Sequence, residues 1–329
     1  MMAKPNRRNM LLAAASACTA GVAVNGLTGG AQSGSLADRR TAKSPVFVTK
    51  AADYSVELAQ KIAEGVKACG LDVKGKRILL KPNLVEFSRQ TVINTDVSVV
   101  AAALEVFSSL GAAEVRIGEG PGHRRDPYAL AEQTAYRGLI SRFDDRFVDL
   151  NRDDVTYVAG FAGEPGIYLP NSALGADLIV SIPKMKTHHW AGATLSMKNY
   201  FGLVPGAVYG WPKNTLHMLG IARSIVELNR IFAHSFAIVD GIVGMEGNGP
   251  IQGTPRHAGV LVMGGDLRAV DSTCCRIMGL DPARLRYLDE SAHLGNATEA
   301  GIEQRGEAIA AVRTPFALIP EFAGLRLPA

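Results

Sequence analysis

Several polar clusters in this chain follow directly on short apolar runs, and their side chains could together hold an anion and move a proton. They are Lys81-Pro82-Asn83, Gly118-Glu119-Gly120-Pro121-Gly122, Pro183-Lys184-Met185-Lys186-Thr187-His188, Asp240-Gly241, and Gly264-Gly265-Asp266 with Asp271 one turn further on. Lys81, Lys184, Lys186 and Lys198 offer ammonium groups to a carboxylate or phosphate, and a lysine in a cleft shifts its pKa readily enough to serve as a base. Glu119, Asp240, Glu246 and Asp271 can accept protons, coordinate a divalent metal or pair with those lysines. His188 titrates near neutrality and can act as general acid, base or ligand. The glycines at 118–122 and 264–265 let backbone N–H groups approach an anion.

These types suggest definite roles. Lys184, Lys186 and Lys198 hold the anion, with Lys81 and Gly120 beside them, and Asn83 and Asn199 orient it. His188, Lys186, Asp240 and Asp271 are the candidate proton-transfer groups, and Glu119 and Glu246 the candidate metal ligands. Neighbouring side chains in an extended segment point apart, so at most one of His188 and His189 is expected to serve the site. His123, His217, His234, His257 and His293 share no metal-binding spacing and read as structural.

Other chemistries are disfavoured. There is no Gly-x-Ser-x-Gly elbow and no Cys-His signature, so a serine or cysteine hydrolase does not fit. Gly118-x-Gly-x-Gly departs from both the dinucleotide fingerprint and the Walker A loop. The four cysteines (Cys18, Cys69, Cys274, Cys275) form no C-x-x-C cluster, so no cysteine-ligated iron–sulfur or zinc site is encoded. Cys69 and the adjacent pair read as small buried hydrophobes, and a disulfide from Cys69 to one of the pair stays open.

The elements that must position these residues alternate. Six apolar, β-branched runs read as strands: Val46–Lys50, Arg77–Pro82, Glu114–Gly118, Leu178–Ile182, Phe236–Val239 and Gly259–Met263. Most are continuous, the pattern of strands covered on both faces. Between them lie residues at helical spacing: Leu58, Ile62, Val66 and Cys69; Val100, Leu104, Phe107 and Leu110 after a Thr95-Asp96 cap; Leu216 to Leu228; and Leu267 to Met278. The expected class is α/β, a mainly parallel sheet with helices on both faces. Residues 142–170 suggest an antiparallel hairpin, and 142–214 an inserted smaller β-rich segment, with 190–214 a Gly-, Pro- and aromatic-punctuated loop. In open parallel sheets ligands bind outside the carboxyl ends of the strands. The five clusters would then converge on one crevice.

The N-terminus reads differently. Asn6-Arg7-Arg8-Asn9-Met10-Leu11-Leu12 followed by a weakly apolar run to Val24 is a twin-arginine pattern, predicting an export leader over 1–34, a linker over 35–44 and an α/β domain over 45–329. The expected location is periplasmic or extracellular, with the Tat translocon a partner during export. No second apolar stretch is long enough to span a bilayer. The formal charge is +4, and Lys4, Arg7 and Arg8 carry three of those charges, which leaves a near-neutral body. That gives no electrostatic case for nucleic acid.

Taken jointly, Leu80-Lys81-Pro82-Asn83, Thr95-Asp96, Ala176-Asp177-Leu178-Ile179, Pro183 to His188, Ser196-Met197-Lys198-Asn199-Tyr200-Phe201-Gly202, Asp240-Gly241-Ile242, Glu246 to Pro250, Gly264-Gly265-Asp266 and Ala269-Val270-Asp271 resemble the DUF362 family over roughly Pro45 to Gly295. The resemblance implies a shared α/β core and polar site, and no reaction. Many relatives carry a ferredoxin-like module with cysteine-ligated clusters; this chain has none. The expected function is an exported enzyme acting on a small carboxylate or phosphate, as a metal-assisted lyase or isomerase. The alternatives are a non-catalytic periplasmic ligand-binding protein and a redox accessory protein carrying a preloaded cofactor.

Overall fold

Side-chain alternation along the strands divides the core into two clusters. In the second predicted strand, Ile78 and Leu80 face one hydrophobic cluster while Leu79 faces another. The same alternation separates Leu178, Val180 and Ile182 from Ile179, and Ile238 from Ala237 and Val239. A strand with apolar residues on both sides must be covered on both sides. Here it is. The computed structural model describes residues 42–122 and 126–327, and these described residues form one compact unit. The expected leader at 1–34, all but the end of the linker, and His123 lie outside the described residues.

The strands are β1 (Ser44–Lys50), β2 (Arg77–Pro82), β3 (Glu114–Glu119), β4 (Phe147–Asp149), β5 (Val155–Phe161), β6 (Glu164–Pro170), β7 (Leu178–Ile182), β8 (Lys184–His188), β9 (Gly192–Thr194), β10 (Ser235–Glu246), β11 (Thr254–Gly264) and β12 (Ile302–Gly306). The main sheet runs β12-β1-β11-β10-β7-β2-β3-β4, with β8 paired to β10 and β9 to β8. The pairs β10·β7, β7·β2, β2·β3 and β3·β4 are parallel. Helices α1 (Leu58–Ala68) and α2 (Val97–Ser109) bury Leu58, Ile62, Val66, Val100 and Phe107 on one face. Helices α3 (Ile221–Ile231) and α4 (Leu267–Ile277) bury Ile225, Leu228, Val270 and Cys274 on the other. Asp96 caps α2, its carboxylate accepting from the Ser98 amide, and Gly111 sits at φ +83° just beyond its end, as a chain reversal there requires.

Three expectations are corrected. The fifth strand does not stop at Val239: β10 continues through a bulge at Gly241–Val243 to Glu246, which puts Asp240-Gly241 inside a strand rather than after one. The sixth strand is antiparallel. Gly264 at the end of β11 pairs with Ala237 and Val46, near the starts of β10 and β1, so Gly264-Gly265-Asp266 lies on the rim opposite the other clusters. A short turn joins β10 to β11, and a short turn can only reverse the chain. In the stretch 142–214, only the β5–β6 hairpin stands apart; β4, β7, β8 and β9 all join the main sheet.

Cys69, Cys274 and Cys275 are free thiols, and the last two are fully buried in α4, as small hydrophobes would be. Among the described residues no helix is long and apolar enough to cross a membrane.

Candidate functional site

The carboxyl ends of β2 and β3 open onto a cavity of about 520 Å³, lined also by residues of β8, of the segment 198–202, and of the stretches 212–217 and 248–252. The parallel register sets Lys81 at the end of β2 beside Glu119 at the end of β3. Past Pro183 the chain of β7 continues as β8 against the second half of β10. That continuation carries Lys186 and His188 over the same rim. Of the sequence-predicted residues, Lys81, Asn83, Glu119, Gly120, Lys186, His188, Lys198 and Asn199 line the cavity; Lys184, Asp240, Glu246 and Asp271 do not.

The floor is a closed ionic network. Lys81 Nζ donates to Glu119 Oε2 at 2.7 Å, to the Pro82 carbonyl at 2.7 Å and to Asn199 Oδ1 at 3.2 Å, using all three of its protons. Glu119 also accepts from the Leu84 and Gly120 amides. Asn199 Nδ2 donates to the Lys81 carbonyl and to Ser181 Oγ. Asn199 therefore holds Lys81 in place, with both of its amide protons already used. Burial depresses the Lys81 pKa, opposed by the Glu119 charge. The backbone packs directly over this pair. A Cβ on Gly202 would collide with Glu119 Oε1 and Lys81, and one on Gly120 would lie 2.6 Å from the Gly202 carbonyl oxygen.

Around the floor stand three lysines with no carboxylate partner among the described residues. Lys186 Nζ donates to the Ile93 carbonyl at 2.8 Å and weakly to that of Pro250. Lys213 Nζ donates to the Gly120 carbonyl at 2.5 Å. Lys198 lies over the Phe201 ring at 4.3 Å. Burial pulls Lys213 down to about 7 and Lys198 to about 8. Lys186 falls well below its ordinary value, through burial first and then the charges of Lys198 and Lys184. Buried cations without counter-ions are costly, and a site that keeps several is arranged for an anion brought from outside.

Two histidines face the same space. His188 Nδ1 accepts the Trp190 and Ala191 amides at 3.0 and 3.1 Å, so in the neutral ring the proton sits on Nε2. Burial and the nearby Lys198 charge hold this imidazole well below its ordinary pKa, keeping it neutral. His189 Nδ1 meets the Gly249 carbonyl at 2.7 Å and must donate to it, so its neutral ring leaves Nε2 with the lone pair. The two rings lie 5.0 Å apart in complementary tautomers, one a donor and the other an acceptor. The expectation that only one of the neighbours could serve the site is corrected: the strand ends at His188, and the turn toward β9 swings His189 to the same side. Asn83 Oδ1 and Thr194 Oγ1 are buried cavity-lining atoms without a hydrogen-bond partner among the described residues. Unsatisfied buried acceptors and donors of this kind are rare unless a ligand completes them.

The remaining predicted residues have other employment. Lys184 pairs with Asp240 at 2.6 Å, and Asp240 also accepts from Tyr54 Oη and the Asp96 and Ile242 amides. The Lys184–Asp240 pair is buried, and the cluster ties β8 to β10 and to the start of α2. Glu246 accepts the Ala317 amide and lies 3.7 Å from Arg256. Asp271, in α4, takes four hydrogen bonds: Ser196 N and Oγ, Met197 N and Tyr287 Oη. Burial pushes its carboxyl up to about 7 against those bonds. It fixes the chain immediately before Lys198 and is a positioning residue.

The proposed divalent metal does not fit these donors. Glu119 is occupied by Lys81 and two amides, Glu246 is elsewhere, and among the described residues no group of three His, Cys, Asp or Glu side chains could hold a metal ion. Cavity residues absent from the sequence-based set include Lys213, His189, Trp190, Thr194, Phe201 and His217, the last of which reads as structural from sequence. The aromatic, Gly- and Pro-punctuated loop at 190–214 is the signal that carries most of them.

The chain is 32% identical over 236 residues to the thylakoid-associated protein sll1697 of Synechocystis sp., covering 69% of this chain and 70% of that one. A solved structure, the lactate racemase apoprotein from Thermoanaerobacterium thermosaccharolyticum, aligns with a TM-score of 0.49 at 12% identity, over 73% of this chain and 58% of that one, less than two thirds of its length. A family described as a domain of unknown function (DUF362) matches residues 78–276, which span β2 to the end of α4 and so most of the sheet and the cavity floor, and the chain belongs to that family.

Proposed function

We propose that the cavity is the active site of an enzyme acting on an organic carboxylate or phosphate, with His189 moving the proton and His188 donating a hydrogen bond. The observation that carries this reading is the gathering of Lys186, Lys198 and Lys213, all buried and none paired with a carboxylate among the described residues, around one cavity. These amines hold the anion. Asn83 Oδ1 and Thr194 Oγ1 orient its remaining polar groups. His189 presents the Nε2 lone pair as the base that takes a proton beside the carboxylate and, once protonated, as the acid that returns it, while the neutral His188 presents Nε2–H as a hydrogen-bond donor to the negative charge that develops. The reaction class is isomerase or lyase. No step is routed through a metal.

The sign of the pH dependence follows from the lysines. In the free folded protein the amines of Lys213 and Lys198 lose their protons near 7 and 8, whereas unfolded lysines hold theirs to about 10.4. An anion needs them charged. Affinity for inorganic phosphate or acetate should therefore be highest below pH 7 and fall through pH 7–9, by up to about tenfold per unit for each amine. Calorimetry at pH 8 in buffers of different ionisation enthalpy should show proton uptake on binding. Binding that is flat from pH 6 to 9 contradicts the reading. Incorporation of solvent deuterium next to the carboxylate, across a panel of 2-hydroxy and 2-amino acids, separates an enzyme from a receptor.

We also propose export by the twin-arginine route, on the strength of Asn6-Arg7-Arg8-Asn9-Met10-Leu11-Leu12. The double substitution Arg7→Lys, Arg8→Lys should leave the precursor in the cytoplasmic fraction. Unchanged export of that variant would remove the leader.

A further inference from the structure

The aromatic side chains around the cavity form one unbroken arc. Phe201 and His217 meet edge-to-face with ring centroids 5.9 Å apart, His217 and Trp190 at 5.3 Å, Trp190 and His189 at 4.7 Å, and His189 and His188 lie tilted at 5.0 Å. All five rings line the same space. One end of the arc carries the Lys198 ammonium over the Phe201 face, and the other ends at the His188 imidazole. Trp190 is 62% exposed at the mouth, an unusual place for the largest apolar side chain unless something covers it. A cavity of about 520 Å³ is also far larger than a two- or three-carbon acid fills, and falls in the range of sites for ligands of drug size.

We propose that the ligand of this cavity is an anion built on a planar aromatic ring, its carboxylate or phosphate set among Lys186, Lys198 and Lys213 and its ring against the Phe201–His217–Trp190 arc. The inference rests on the anion reading above and narrows its substrate class. Aromatic rings favour edge-to-face and offset contacts with ring edges and faces, and a cation near a ring face adds to them. The same arc has little to offer a small aliphatic acid. Shape and charge here select for both ends of the molecule at once.

The test compares acetate and inorganic phosphate with 2-naphthoate and 1-naphthyl phosphate by calorimetry on the full-length protein. The naphthyl anions should bind at least tenfold more tightly than their ring-free counterparts; which of the two binds better distinguishes a carboxylate from a phosphate ester. Trp190→Ala should weaken 2-naphthoate roughly five- to tenfold, as expected for loss of one aromatic contact, and leave acetate within about twofold. Because Trp190 is exposed, the variant is expected to fold, which its circular dichroism and melting temperature check. Equal binding of acetate and 2-naphthoate, or a Trp190→Ala effect common to both, overturns the aromatic inference and leaves the anion site standing. Failure of all four probes to bind overturns the anion reading and this inference with it.

Discussion

Lys198→Met is expected to weaken phosphate or carboxylate binding roughly 10- to 100-fold while leaving the free protein as stable as before or more so, the loss corresponding to one hydrogen bond to a charged group. The direction of the stability change is what makes the result diagnostic. Lys198 is 9% exposed, lies over Phe201, and has no hydrogen-bond acceptor among the described residues. Its ammonium is a cation removed from water with little in return. Methionine keeps the unbranched shape and removes the charge, so the folded state is relieved of a desolvation cost. A lysine that served the fold would behave in the opposite way, with a lower melting temperature and unaltered binding. Titration calorimetry beside a thermal melt reads both, and a marked fall in melting temperature without loss of affinity would take Lys198 out of the site.

Lys81→Met is expected to do the reverse and to cost stability first. It strands the Glu119 carboxylate, which is 1% exposed, with only the Leu84 and Gly120 amides as donors. Breaking one side of a buried ion pair costs about 3–5 kcal/mol. At about 2–4 °C per kcal/mol for a domain of this size, the melting temperature should drop by roughly 10 °C. Lys81 also gives up its bonds to the Pro82 carbonyl and Asn199, so Asn199 loosens as well. Adding Glu119→Gln should recover a large part of the loss, because the double variant no longer buries an uncompensated charge while an amide oxygen still accepts from Leu84 N. If the double variant is as unstable as the sum of the two single ones, the pair is not coupled as the 2.7 Å contact requires.

The contrast between these two lysines marks the limit of what residue type tells. Both are buried, both line the cavity, and both follow the same pattern of an apolar strand or loop running into a basic residue. Only the partners separate them, and the partners come from segments 38 and 118 residues away along the chain.

Much was nonetheless present in the chain itself. Continuous β-branched runs such as Arg77–Pro82 and Leu178–Ile182, separated by amphipathic helical spacing, specify strands buried on both faces and hence an α/β sheet, because period and polarity act locally. The parallel rule for strand ends then places Lys81, Glu119, Lys186 and His188 on a common rim. The rule fails where the chain reverses by a short turn. Nothing within Gly259–Met263 states that β11 runs antiparallel, and that direction alone sends Gly264-Gly265-Asp266 to the far rim and leaves Asp271 to brace Ser196 and Met197 from behind the cavity. Likewise, Asp240 reads as a free carboxylate until β10 is seen to continue past it and Lys184 to neutralise it. Lys213 and Trp190 belong to a loop without periodicity and His217 to a short helix, Asn214–Met218, that follows it, so their convergence depends on long-range closure. Local sequence sets which side chains can be buried and in what repeat. Strand direction, ion-pair choice and loop closure depend on contacts between distant segments, whose free energies exist only once the sheet has formed.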